Sequence, residues 1–182
     1  IFRGPIEGGI TSLATTVFGV VFIPVFFGHI ILLKALPDGV FYIWAIHVVV
    51  MINDTAAYFG GSWFGSHKAG IAVSPNKSWE GYFSGMLFSI ISMIVIKEVY
   101  ITFFDKHLFT TLEAGLLGAF LCIAGNIGDL FESAMKRDSG VKDSGRIVPG
   151  HGGMWDVFDA LIFAIPLFYY YIVIKDMVIK GL

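Results

Sequence analysis

Five apolar stretches dominate this chain, at roughly residues 10–33, 39–59, 81–101, 112–131 and 157–174. Each is long enough to cross a bilayer, which takes about 17–25 residues of helix. Inside lipid every backbone amide and carbonyl must be bonded within its own segment, so apolar spans of this length fold as helices. The expected fold is therefore all-α, a polytopic integral membrane bundle of about five transmembrane helices forming a single domain over residues 1–182. Composition agrees: 56% of residues are hydrophobic and 14% charged, against about 45–50% and 25% in soluble domains.

Two connections, 34–38 and 102–111, are short, and two, about 60–80 and 132–156, are longer and polar. With five spans the two long loops share one side with the N-terminus. That side holds Arg3, Lys68, Lys77, Lys136, Arg137, Lys142 and Arg146, and the other holds Lys34, Lys97, Lys106, Lys175 and Lys180. The positive-inside tendency puts the long loops, and any site built on them, in the cytoplasm. Ile1 is not an initiator methionine, so the chain is expected to be the C-terminal part of a longer protein.

Several classes drop out. The formal charge of −2 comes from mixed signs with no basic arm, so nucleic acid is not an expected partner. A single cysteine, Cys122, permits no internal disulfide and, with no ligand spacing among the histidines, argues against zinc. Neither a G-x-S-x-G elbow nor a P-loop occurs.

The polar residues at the span ends carry the chemistry. Asn53 and Asp54 close the second span; Asn126, Asp129 and Glu132 close the fourth; Asp156 and Asp159 open the fifth. On a continuing helix Asp129, Glu132 and Lys136 share one face. Each cluster alone has a structural explanation, such as acidic residues favoured at a helix N-terminus. Three clusters on one side of the membrane can converge, and carboxylates in lipid normally face a partner or a wet cavity. Converging carboxylates suit a hard cation such as Mg²⁺, which binds through one or two of them plus substrate phosphates. Lys136, Arg137, Lys142 and Arg146 would neutralise phosphate oxygens. Gly150, Gly152 and Gly153 allow close backbone approach, and His151 is either a base or phosphate donor or a loop histidine bonded to backbone.

The run SAMKRDSGVKDSGRIVPGHGGMWDVFD resembles the signature of the phosphatidate cytidylyltransferases, also called CDP-diacylglycerol synthases. Ser133, Lys136, Arg137, Lys142, Asp143, His151, Gly152, Gly153, Asp156 and Asp159 match it in order and spacing, and NDTAAYFGG and SPNKSWEG resemble two further segments of the family. One position departs: where the family carries arginine, this chain has Val157. The resemblance implies Mg²⁺-dependent transfer of a cytidylyl group from CTP to phosphatidate, giving CDP-diacylglycerol and pyrophosphate for phospholipid synthesis. It implies Asp129 and Asp156 as metal ligands with Asp159 and Asp143 in support, and leaves the identity of a second cation open. It further implies phosphate contacts from Lys136, Arg137, Lys142 and Arg146, and a nucleotide pocket shaped by Asp54, Lys77 and Glu80. A homodimer is compatible with the sequence, although no seam demands one. Two other readings stand beside this one: a transporter with intramembrane acids, and a relative impaired by Val157.

Overall fold

A computed structural model of the chain describes residues 9–141, 144–145 and 153–181. Lys142, Asp143, Arg146, Gly150, His151 and Gly152, singled out above, lie outside the described residues, as does the side chain of Val157. The described chain is five helices: α1 (Gly9–Ala35), α2 (Gly39–Phe64), α3 (Trp79–Phe104), α4 (Thr111–Asp138) and α5 (Met154–Lys180). All five are long and apolar enough to cross a membrane.

The helices outrun the apolar stretches. At 26 residues, α2 is about 39 Å long, against a hydrocarbon core of about 30 Å. Its last turns and those of α4 therefore carry polar side chains on rigid backbone rather than in a loop, which is what positions the site. Local chemistry sets the ends. Thr110 and Glu113 form a reciprocal capping box at the start of α4. Ser78 caps α3 by accepting from the Gly81 N–H at 3.3 Å. α5 starts with Asp156 accepting from the Gly153 N–H at 2.6 Å.

The buried core is small for so apolar a chain. Leu33, Ile46, Val49, Met93, Leu121 and Phe168 are enclosed between helices, while Val20, Ile31, Trp44, Phe83 and Leu112 point outward. That distribution fits lipid as solvent, where exposed Leu costs nothing and helices associate by close packing. α2 packs most extensively on α3, α4 lies against both α3 and α5, and α1 flanks α5 and α2. Phe22 and Phe26 of α1 pack with tilted rings against Phe131 and Phe163, with centroids 5.1 Å (Phe22–Phe131) and 5.3 Å (Phe26–Phe163) apart. Gly128 lets α4 and α5 approach, because a Cβ there would stand 2.5 Å from the Asp159 carbonyl oxygen.

The end remote from the long loops is tied by paired charges. Asp38 accepts from Tyr100 Oη at 2.7 Å and pairs with Lys106. Glu113 takes Lys175 and Tyr171, and buried Lys97 donates to Thr111 at 2.9 Å. The Lys106 hydrogen bond, seconded by Tyr100, holds the Asp38 carboxyl below the usual carboxylate range.

Candidate metal and nucleotide site

At the other end, a cavity of about 550 Å³ opens between α2, the 65–78 connection, α3, α4 and α5. Its volume lies within the range of small-molecule sites. Asp54 comes from α2, Asn126 and Asp129 from α4, Asp156 and Asp159 from α5, and Lys68, Asn76 and Lys77 from the connection. The connection is folded into shape by its own backbone: Ala69 N–H donates to the Lys77 carbonyl at 2.8 Å and Trp79 N–H to the His67 carbonyl at 3.0 Å. Glu80 grips it at the base, 2.6 Å from His67 Nδ1.

One oxygen each from Asp129, Glu132 and Asp159 lies within 4.8 Å of the others. Asp129 and Glu132 meet because they are three apart on one helix, and Asp159 joins them through the close contact at Gly128. Glu132 is 1% exposed, its Oε1 has no hydrogen-bond donor, and Lys136 Nζ stands 2.6 Å from Oε2 without the alignment of a hydrogen bond. A buried carboxylate so sparsely served is costly by itself. Three hard oxygen donors round one point, one of them underserved, fit a divalent cation of the Mg²⁺ kind.

Asp156 is differently employed. Oδ1 accepts from Lys136 Nζ at 2.6 Å, and Oδ2 accepts from Ser144 Oγ and the Ser144 and Gly153 N–H groups at 2.6–2.9 Å. Desolvation works against its ionisation, but the Lys136, Ser144 and Gly153 bonds outweigh it and hold the carboxyl well below the ordinary range. It anchors the loop before α5 and the Lys136 ammonium together. Lys77 forms an ion pair with Asp129, and Asn53, 1% exposed, donates to Asp54 Oδ1 at 3.0 Å.

Of the residues singled out from sequence, the structure gathers Asp54, Lys77, Asp129, Asp156 and Asp159 around the cavity. Lys136 stands behind them, bridging Glu132 and Asp156. Glu80 supports the connection, Gly153 serves Asp156 through its N–H, and Arg137 is exposed, reaching the Val141 carbonyl. Sequence reasoning gave Glu132 no role, though its spacing from Asp129 was the signal. Lys68, Asn76 and Asn126 appeared there without a site role, because only the folded connection and the helix crossing bring them to the cavity.

Comparison with known proteins identifies the family. A cytidylyltransferase family model matches residues 5–175. A phosphatidate cytidylyltransferase of Staphylococcus haemolyticus is 44% identical over 130 residues, covering 71% of this chain and 48% of the relative. One from Staphylococcus epidermidis matches at the same identity and coverage. One from Staphylococcus aureus is 39% identical over 140 residues, 77% of this chain and 52% of the relative. The chain thus spans about half the length of the curated relatives it matches. With five membrane-crossing helices and an acidic cavity at one end of them, the chain belongs to the cytidylyltransferase family.

Proposed function

We propose that this chain carries the active site of a phosphatidate cytidylyltransferase, transferring the cytidylyl group of CTP to the phosphate of phosphatidate. The observation that carries the reading is the cavity at one end of the membrane-crossing helices, lined by Asp129 and Asp159, with Glu132 converging on them from behind, and by Lys68 and Lys77 of the connection. Acid suits a cation, base suits polyphosphate, and the membrane supplies the second substrate. The staphylococcal relatives bear the name of that reaction.

Asp129, Glu132 and Asp159 would hold Mg²⁺. A bound Mg²⁺ would supply charge neutralisation on the phosphates of an in-line displacement. The chain's residues do the rest. Lys68 and Lys77 face the cavity as point charges for phosphate oxygens. Lys136, locked between Glu132 and Asp156, keeps the base of the site from flying apart before a cation arrives. In the balanced reaction a phosphatidate oxygen bonds to the α-phosphorus of CTP, the bond to the bridging oxygen breaks, and pyrophosphate leaves with that electron pair. Acyl chains stay in the bilayer beside the outward apolar side chains. The basic residues on the long-loop side orient the site to the cytoplasm, the 1–182 chain works as one transmembrane domain, and a homodimer and a second cation remain parts of the same proposal. Lys142, Arg146 and Gly152 belong to it as substrate contacts, and Asp143, His151 and Arg137 as catalytic candidates.

The test is incorporation of labelled cytidine nucleotide into chloroform-extractable lipid by the purified full-length protein with phosphatidate. Mg²⁺-dependent product, lost in Asp159→Asn, is expected. Product that survives Asp159→Asn undiminished refutes the site assignment.

A further inference from the structure

We propose that Lys77 is a stand-in cation, holding Asp129 while the site lacks metal and passing to a nucleotide phosphate when a divalent cation takes Asp129, Glu132 and Asp159. This rests on reading those three carboxylates as a metal site.

Two lysines touch the acidic cluster, and they are held very differently. Lys136 Nζ sits 2.6 Å from carboxylates on both sides, Glu132 and Asp156, and rises from a helix. Lys77 pairs with Asp129 alone among the described residues, and it comes from the 65–78 connection one residue before the Ser78 cap. Its ammonium is buried and makes no aligned hydrogen bond, and it stands over the Tyr82 ring, 5.4 Å from the centroid. An ammonium has three donors to place, and leaving them unfilled out of water is unfavourable. Lys77 is therefore the cation with least to lose by moving.

A divalent ion on Asp129 makes it move. It puts two positive charges on the carboxylate Lys77 now neutralises, and like charges at contact distance repel strongly in a partly dry site. The residue has somewhere to go, because Lys77 already lines the 550 Å³ cavity beside Lys68 and Asn76. A flexible four-carbon stem needs only rotamer changes to carry the ammonium from one side of that space to another. The backbone behind it stays put, pinned by Ala69 N–H on the Lys77 carbonyl and by His67 on Glu80.

The consequence has two signs. Removing the ammonium should help the bare metal, by ending competition for Asp129, and harm the nucleotide, by deleting a phosphate contact. A plain structural salt bridge would not show the gain and the loss together.

The experiment titrates Mn²⁺ into purified full-length protein without nucleotide, reading free Mn²⁺ by electron paramagnetic resonance, and then measures CTP binding at saturating Mn²⁺. Parent, Lys77→Met, Lys77→Gln, Lys77→Arg and Asp159→Asn are compared, with a thermal melt of each to show that it is folded. Lys77→Met and Lys77→Gln are expected to bind Mn²⁺ about tenfold more tightly and CTP about tenfold more weakly, the scale of one charge-assisted contact. Lys77→Arg should match the parent for Mn²⁺. Equal or weaker Mn²⁺ binding in the neutral variants, with Asp159→Asn impaired, overturns the stand-in role alone. Unchanged CTP binding overturns the hand-over. A parent that binds no Mn²⁺, or an Asp159→Asn protein that binds it normally, overturns the metal site and this inference with it.

Discussion

Gly128→Ala is a one-carbon perturbation whose effect can be worked from the helix crossing. The new Cβ would meet the Asp159 carbonyl oxygen at 2.5 Å and the Ala160 Cα at 3.1 Å, both backbone atoms that no rotamer change can move. Ordinary contact begins at 3.4 Å, so α4 and α5 must part by about 0.9 Å. Overpacking of this kind costs about 1–3 kcal/mol, offset by up to about 1 kcal/mol of gained helix propensity. The stability loss is thus modest. The functional loss is not, because the displaced backbone carries Asp159 away from Asp129 and Glu132, and a misplacement of about 1 Å costs on the order of 10²-fold in rate. Gly125→Ala is the control one turn earlier, where the new carbon meets Ala160 Cβ at an ordinary 3.6 Å. Lipid-extracted product from labelled CTP, with thermal melts of each variant, reads both effects. About 100-fold slower turnover in Gly128→Ala beside near-parental Gly125→Ala is expected; near-parental turnover in Gly128→Ala would refute the argument that this crossing sets the site.

Lys136→Met leaves Glu132 and Asp156 facing each other without their shared cation; the bundle should lose about 3 kcal/mol, read by thermal melt, and Glu132→Gln added to it should restore part of the stability but no turnover. Glu113→Gln at the remote end weakens the Lys175 and Tyr171 ties, and should lower the melting temperature while leaving the kcat/KM of the folded fraction unchanged. Asp38 has its folded pKa depressed, first by Lys106, so its contribution is fully present above the ordinary aspartate pKa of about 3.9 and is lost as pH falls through the lower folded value; Asp38→Asn should flatten the acid limb of stability against pH in that window.

Hydropathy made the five spans legible, because a bilayer demands long uninterrupted apolar runs. It could not show where the helices stop. α2 carries Asp54 ten residues before its end at Phe64 and α4 carries Lys136 before ending at Asp138, since backbone hydrogen bonding continues where apolarity does not. The site was legible in proportion to its locality. Asp129, Glu132 and Lys136 declare a common face through spacing along one helix. The Lys77–Asp129 pair and the approach of Asp159 depend on contacts across elements, set by Gly128 and by a connection whose path follows from backbone bonds that no side chain advertises. Glu132 was visible but anonymous: its isolation and missing donors emerge only once α5 is in place.

In the proposed reaction this cavity moves the α-phosphorus of CTP onto a lipid phosphate. Running the full-length protein with Mg²⁺ and phosphatidate beside CTP labelled at either the α or the γ phosphorus follows each phosphorus separately. The expected result is α label in the chloroform phase and γ label in water as pyrophosphate, in equal molar amounts. Label from the γ position in lipid, or release of pyrophosphate with no lipid product, would contradict it.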